Sequence, residues 1–133
     1  MNPFSDQKTF MLAGEQSIGV YNRQQTELYI NLVVEEFQEM VGAVSLEGFV
    51  KETIDLIVVA IGLLHSVGVD PEEAWRLVHE SNMSKLVDGK LVKREDGKVL
   101  KPDTYKPADL VPLIMAIPGL DETDLAKTEG ELV

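Results

Sequence analysis

The sequence contains no cysteine and only two histidines in 133 residues. Without cysteine there is no disulfide bond, no thiolate nucleophile and no cysteine-held zinc or iron–sulfur site. Two histidines also argue against a histidine-rich metal centre. These absences exclude thiol catalysis and metal centres held by cysteine, and they argue against centres built mainly from histidine.

Positive charge is also scarce, because 12 lysines and arginines face 23 aspartates and glutamates, for a net charge of −11. A strongly acidic chain repels DNA and anionic membranes, so we expect neither nucleic acid nor a membrane as a partner. The longest apolar run, residues 56–64, is far shorter than the roughly 20 residues of a membrane-spanning helix. The first residues lack the basic and apolar segments of a leader peptide, and we expect a cytoplasmic protein.

Apolar residues recur at helical spacing through the first half of the chain. Ser5 is a candidate N-cap for a short helix that ends near Gly14, where the chain would turn into the left-handed region. The first main helix is predicted over about residues 24–44, because apolar residues return there every three or four positions. Ser45 is the expected N-cap of a second main helix over residues 46–67.

A third main helix is predicted to begin at Asp70-Pro71, because Asp is a good N-cap and Pro fits the first helical position. After it, Asp88-Gly89 and Asp96-Gly97 flank short alternating segments and predict a β-hairpin-like arm. Residues 111–133 are expected to form an extended or partly disordered acidic tail. We therefore predict one domain over residues 1–133.

These elements predict an all-α fold, an antiparallel helical bundle with a short β-hairpin-like arm after the third main helix. Residues 56–64 are apolar on every side of their helix, and so few helices cannot cover them fully. A second copy of the chain would complete the bundle. We therefore expect self-association as a homodimer or homotetramer.

Two pairs of acidic residues stand at helical spacing in the first two main helices, Glu36 with Glu39 and Glu52 with Asp55. Residues three apart share a helix face, and the short connection makes the two helices antiparallel neighbours, so the four carboxylates would meet. Clustered anions near a core need a cation or raised pKa values. Oxygen ligands favour Mg²⁺ or Mn²⁺. The alternative is an acidic helix face that is only solvated.

The spacing Glu36-x-x-Glu39 followed by Glu52-x-x-Asp55 resembles the metal-binding signature of the all-α nucleoside triphosphate pyrophosphohydrolases. That group includes MazG, dimeric dUTPase and phosphoribosyl-ATP pyrophosphohydrolase. The segments 79–85 and 96–107 are similar to small phage- or integron-borne MazG-like members. The resemblance spans about residues 10–110, and for a phage-encoded member the expected location is the host cytoplasm.

The resemblance implies hydrolysis of a (d)NTP to the monophosphate and pyrophosphate by water attack at the α-phosphorus, with dGTP, GTP, dCTP or dUTP as candidate substrates. It implies two or more Mg²⁺ ions per site, with Mn²⁺ as a substitute, held by Glu36, Glu39, Glu52 and Asp55. Glu35 would be a further ligand or would orient the attacking water. Glu35 or Glu36 would accept the proton of that water.

Further residues are candidates for binding the nucleotide. By the resemblance, Asn82 and Lys85 match positions that hold the nucleotide, and Lys98 belongs to the Gly-Lys arm. Seven of the 12 basic residues fall within residues 85–106, and such a local basic segment can attract a compact polyphosphate. The alternative is a charged arm that the lysines keep soluble.

The base would need its own contacts. Gln16 can read a base edge, although a surface amide is the equally simple interpretation. Tyr105 and Phe37 are candidate stacking partners, as is Trp75, which alternatively packs in the core.

Two other classes of function fit the same sequence. A helical oligomerisation or regulatory module would use its acidic residues to bind a basic partner rather than a metal. A nucleotide sensor would keep the pocket without turnover. A Mg²⁺ titration of thermal stability separates the first from an enzyme, and an activity assay separates the second.

Overall fold

The computed structural model describes residues 2–125. In this range the fold is mostly helical with one short antiparallel hairpin, which confirms the predicted fold class. The elements in chain order are α1 (Pro3–Ala13), α2 (Arg23–Val41), α3 (Leu46–Val67), α4 (Pro71–Met83), β1 (Leu86–Val87), β2 (Lys90–Leu91), α5 (Val111–Met115) and α6 (Glu122–Leu125).

The chain forms two compact units. Among the described residues, the first contains 2–71 and 116–125, and its core is the α2–α3 pair with α1 packed on α3. The second unit is Glu72–Met115 and contains α4, the hairpin and α5. No single helix among the described residues is long and apolar enough to cross a membrane; α3 and α4 pass that test only as a broken pair, by length and composition.

Helix α2 begins after Asn22, whose side-chain oxygen accepts from the backbone N–H of Gln25 at 3.0 Å. It ends at Val41, about three residues earlier than the periodicity predicts. The chain leaves the helix at Gly42, and Val44 is fully exposed in the connection. Val44 therefore has the spacing of the helical pattern, but it makes no core contact that would extend the helix to it.

Helix α3 has the predicted bounds and the predicted N-cap. Ser45 Oγ accepts from the backbone N–H of Gly48 at 3.0 Å, which satisfies one of the donors at the start of the helix. The helix ends at Gly68, whose φ of 92° lies in the left-handed region. A Cβ at Gly68 would lie 2.6 Å from the carbonyl carbon of Val20, so the close approach of that loop also requires glycine.

Tyr29 of α2 packs tightly against Gly62 of α3. A Cβ at Gly62 would lie 2.2 Å from Cε1 of the Tyr29 ring. Tyr29 stands near the start of α2 and Gly62 near the end of α3, so the two helices run antiparallel. The acidic residues of the two helices are thereby brought to the same part of the pair.

A buried polar network fixes the first turn of α2 against the end of α3. The side-chain amide of Gln25 donates to the carbonyl oxygen of Ser17 and to Ser66 Oγ, both at 2.9 Å. Ser66 Oγ in turn donates to the carbonyl oxygen of Gly62 at 2.7 Å. Because buried polar groups are costly without partners, this closed set of bonds fixes the connection before α2.

Helix α1 differs from the prediction at its start. The N-cap is Asn2 rather than Ser5, because Asn2 precedes Pro3 and its side-chain oxygen accepts from the Ser5 N–H at 2.8 Å. His65 Nε2 lies 2.9 Å from the carbonyl oxygen of Phe4, which ties α1 to α3. At the other end Gly14 is the C-cap, but the positive φ of 59° falls on the next residue rather than on the glycine.

The arm of the second unit follows α4 as predicted. Leu86 pairs with Leu91 and Val87 with Lys90, around the turn Asp88-Gly89, where both residues have positive φ. This is the conformation that an Asp-Gly turn of a tight hairpin favours. The second Asp-Gly turn lies inside an isolated bridge between residues 93 and 99.

The described part of the expected tail is not extended throughout. It contains the short helices α5 and α6, and Ile117 is buried near Gly68. The backbone N–H of Tyr21 donates to the carbonyl oxygen of Pro118 at 2.8 Å, which holds this segment to the first unit. Residues 126–133, the remainder of the predicted tail, lie outside the described residues.

Candidate active site

Three carboxyl groups converge in the first unit. Glu36 and Glu39 stand one turn apart on α2, and Glu52 stands on α3. One carboxylate oxygen from each lies within 4.8 Å of the other two. The structure thus brings together three of the four acidic residues that the sequence singles out as metal ligands, and we call these three the acidic group.

The acidic group requires additional positive charge or a proton to balance its carboxylates. Glu36 Oε2 and Glu52 Oε2 are buried, and neither has a hydrogen-bond partner among the residues described. Desolvation, together with the neighbouring carboxyls of Glu39, Glu52 and Asp55, raises the pKa of Glu36 to about 7. Two carboxylates can hydrogen-bond only if one of them carries a proton. A proton or a cation is therefore required to hold these oxygens together at neutral pH.

Asp55, the fourth acidic residue, is engaged by a lysine. Asp55 Oδ2 lies 2.6 Å from Nζ of Lys51, and the same ammonium is 3.6 Å from Glu52 Oε1. The hydrogen bond and charge of Asp55, with a further contribution from Glu52, raise the pKa of Lys51. The charge of Asp55 still acts on Glu36. Lys51 is two-thirds exposed, so it can leave these carboxylates without opening the core.

The donor set fits a hard divalent cation. The acidic group offers carboxylate oxygens only, and two of these oxygens are buried without a donor. Such an oxygen is stabilised by a cation within ligand distance, and Mg²⁺ is the common biological ion for sites of this type. Asp55 is not one of the three converging carboxylates, and it acts on them through the charge that it exerts on Glu36.

Two other predicted residues of the first unit lie outside the acidic group. Glu35 is exposed on α2 at the position before Glu36. Gln16 is half-buried in the loop between α1 and α2, and its side-chain oxygen accepts a 2.6 Å hydrogen bond from the hydroxyl of Tyr29. This bond leaves the amide of Gln16 oriented by a buried tyrosine rather than by solvent.

In the second unit the structure brings Asn82, Lys85 and Tyr105 together. Lys85 Nζ donates to Asn82 Oδ1 at 3.2 Å, and the same ammonium lies 5.6 Å from the centre of the Tyr105 ring. Lys98 is exposed in the second turn of the arm, and its backbone N–H donates to Asp96 Oδ1 at 3.0 Å.

The remaining aromatic candidates are on the surface of their units. Phe37 is 52% exposed and Trp75 is 65% exposed. The core position that the sequence allowed for Trp75 is therefore wrong for this chain.

Sequence reasoning missed two lysines that contact predicted residues. Lys51 is four positions before Asp55, which is an ordinary spacing for a helical ion pair and was readable from the sequence. Lys101 lies 5.2 Å from the centre of the Tyr105 ring. That contact depends on how the arm folds back, and no sequence spacing reveals it.

Comparison with known families gives one result that bears on this geometry. The sequence model of the family described as phosphoribosyl-ATP pyrophosphohydrolase matches residues 8–82, more than half of the chain. The matched segment contains all of α2 and α3 with the acidic group, and it ends before the arm. No curated protein matches the chain.

Proposed function

This chain belongs to the phosphoribosyl-ATP pyrophosphohydrolase family, and from that premise we propose that it is a Mg²⁺-dependent nucleoside triphosphate pyrophosphohydrolase. Family membership makes it a hydrolase of phosphorus-containing anhydrides that acts on a nucleotide. The proposal adds the substrate and the bond. Water attacks the α-phosphorus of a (d)NTP, the bond from that phosphorus to the α,β-bridging oxygen breaks, and pyrophosphate leaves with the electron pair.

The observation that carries the proposal is the acidic group with its buried, unpartnered oxygens. A purely solvated acidic face has no reason to hold three carboxylates within 4.8 Å of one another or to bury two of their oxygens. If these carboxylates served only in structural ion pairs, each would have its own cationic side chain. Lys51 is instead a single cation near both Glu52 and Asp55. The arrangement is best explained by a role in holding metal.

Each acidic residue then has a role in the proposed reaction. Glu36, Glu39, Glu52 and Asp55 would hold Mg²⁺, with Mn²⁺ as a substitute. When bound, the metal neutralises phosphoryl charge and makes an attacking water more acidic. Glu35 is the exposed acid beside this set, so it is the proposed acceptor of the proton from water, and Glu36 is the alternative acceptor.

The second unit supplies the proposed phosphate contacts. Lys85 carries a fixed positive charge, and Asn82 orients it through their 3.2 Å hydrogen bond. Lys98 adds an exposed cation in the arm. In the first unit, Gln16 is the proposed contact to a base edge, held in place by Tyr29.

We also propose that the enzyme self-associates as a homodimer or homotetramer. Ile54 and Ile57 of α3 are 54% and 47% exposed, although they lie in the most apolar helix of the chain. They help to line a cavity of about 520 Å³ between α1 and α3, whose walls are almost entirely apolar. Glu52 and Asp55 project from a different side of α3, so a second copy can cover the apolar side without closing the acidic group.

An activity screen tests the function directly. The eight common ribo- and deoxyribonucleoside triphosphates are incubated with the protein and Mg²⁺, Mn²⁺ or EDTA, and pyrophosphate and monophosphate are measured. We expect equal amounts of both products from at least one nucleotide, and none with EDTA. Asp55→Asn and Glu39→Gln should abolish turnover, whereas Glu47→Gln, an exposed acid in the first turn of α3, should not. Turnover that survives EDTA or both substitutions would contradict the proposal.

A further inference from the structure

Two ammonium groups of the second unit converge on one aromatic ring. Nζ of Lys85 lies 5.6 Å and Nζ of Lys101 lies 5.2 Å from the centre of the Tyr105 ring. Both distances are within the range of a cation–π interaction, which is about 6 Å. Asn82 holds the first ammonium from the side of α4.

Hydrogen bonds from the end of α4 hold the returning chain in this position. Ser84 Oγ accepts from the backbone N–H of Lys106 at 2.8 Å, and the carbonyl oxygen of Ser84 accepts from Thr104 Oγ1 at 3.0 Å. Ser81 Oγ donates to the carbonyl oxygen of Lys106 at 2.7 Å. These bonds fix the backbone on both sides of Tyr105, so the ring is presented to Lys85 by a defined loop.

Neither ammonium group forms an ion pair with a carboxylate in the part of the chain that the structure describes. Within residues 2–125 no carboxylate lies within 4.0 Å of Lys85 or Lys101. The arginines behave differently, since Arg94 pairs with Asp96 and Arg76 with two glutamates. In a chain with almost twice as many acids as bases, two lysines that share a ring instead of an acid leave a concentrated positive site.

We propose that Lys85, Lys101 and Tyr105 form a clamp for the two phosphates that leave as pyrophosphate, which makes Lys101 a substrate-binding residue. The proposal rests on the proposed function, which supplies a ligand with several negative charges on a short chain. The tyrosine ring stabilises the two ammonium groups beside each other before the ligand arrives, so less repulsion has to be overcome on binding. The ring therefore positions lysines rather than stacking on the base.

Direct binding tests the clamp without catalysis. Inorganic tripolyphosphate is titrated into the full-length protein in EDTA at low salt, and the heat of binding is measured. Loss of one charge-assisted contact in Lys101→Ala should weaken binding about tenfold, and Lys101→Arg should restore most of it. Lys90→Ala is the matched control, because it removes an exposed lysine of the same arm that makes no cation–π contact among the described residues.

The ring has its own test. Tyr105→Phe keeps the π face and should bind tripolyphosphate within about twofold of the parent, whereas Tyr105→Leu should lose about as much as Lys101→Ala. Circular dichroism of each variant confirms that the helices remain. If Lys90→Ala and Lys101→Ala weaken binding equally, or if Tyr105→Leu binds as the parent does, the clamp is wrong and the effect is only that of net charge.

Product inhibition identifies the end of the nucleotide that is bound. In Lys101→Ala, inhibition by pyrophosphate should weaken about tenfold while inhibition by the nucleoside monophosphate stays unchanged, and KM for the triphosphate should rise more than kcat falls. Equal weakening by both products would overturn the assignment to the leaving phosphates. If the parent hydrolyses nucleotides and Lys101→Ala has the same KM and the same inhibition by pyrophosphate, the clamp is refuted and the proposed function is not. Tripolyphosphate binding that depends on Lys101 in a protein without turnover would refute the proposed function alone.

Discussion

Substitution of Glu36 by Gln distinguishes an acidic group that holds metal from one that has no role in metal binding. Among the described residues Glu36 Oε2 is buried without a partner beside Glu39 and Glu52, and the substitution replaces the carboxylate with an amide that can donate to these neighbours. Without metal, the variant should be more stable than the parent at pH 8. It should also be inactive, because the group that would hold Mg²⁺ has lost a ligand.

The pKa of Glu36 fixes the sign and size of the effect. The carboxyl titrates near 4.5 in the unfolded chain and at about 7 in the fold. Between these values the folded state holds a proton that the unfolded state has lost, so stability falls as the pH rises through this window and stays lower above it. If Glu36 were fully buried, this pKa difference would correspond to about 3 kcal/mol in the free energy of unfolding. Glu36 is only half-buried, so we expect about 1 kcal/mol, or about 4 °C in Tm.

The assay is thermal unfolding of the parent, Glu36→Gln and Glu47→Gln at pH 4 and pH 8, with and without Mg²⁺. At pH 8 in EDTA, Glu36→Gln should have a higher Tm than the parent, and at pH 4 the two should have the same Tm. Glu47→Gln should have the Tm of the parent under all conditions. Mg²⁺ at 100 times its Kd should raise the free energy of unfolding of the parent by up to about 3 kcal/mol. The same concentration should leave the stability of Glu36→Gln nearly unchanged. A variant that melts below the parent at pH 8, or responds equally to Mg²⁺, would refute the reasoning.

Three further substitutions test other parts of the structure. Lys51→Met removes the ammonium beside Asp55 and should lower the Mg²⁺ concentration needed for half-maximal thermal stabilisation severalfold, whereas an unchanged midpoint would show that the lysine does not compete with metal. Gly62→Ala should cost about 1–3 kcal/mol in urea unfolding, because its Cβ would overlap the Tyr29 ring, and an unchanged midpoint would contradict that packing. Ser66→Ala should cost about 1–2 kcal/mol in the same assay by leaving a buried amide donor unpaired.

The elements most accurately predicted from sequence are those whose signals are local. Ser45 and Gly68 bound α3 because capping and the left-handed turn depend on a few neighbouring residues. The turn Asp88-Gly89 forms a hairpin for the same reason. At α1 two cap residues compete, and Pro3 decides for Asn2 because proline fits the first helical position.

The candidate site was predictable only in part, because its parts depend on different ranges of interaction. Glu36, Glu39 and Glu52 meet because helical spacing and a short connection fix their directions. The spacing of Lys51 and Asp55 shows that they can form a helical ion pair, but it does not show that Asp55 then stays outside the acidic group. Lys101 reaches Tyr105 through the folding of a loop held by Ser84, and such tertiary contacts leave no periodic trace in the sequence.

The distribution of charge connects the two proposals. Residues 72–115 contain eight of the 12 basic and eight of the 23 acidic residues, so the whole net charge of −11 belongs to the rest of the chain, which carries the acidic group. A triphosphate and that acidic group would repel each other, and under the proposed function a divalent cation held by the carboxylates would offset this repulsion. The leaving phosphates need a cation that the acidic group does not provide. In the proposed reaction, the lysines of residues 72–115 that form no ion pair with a described residue, Lys85 and Lys101 among them, would meet that need.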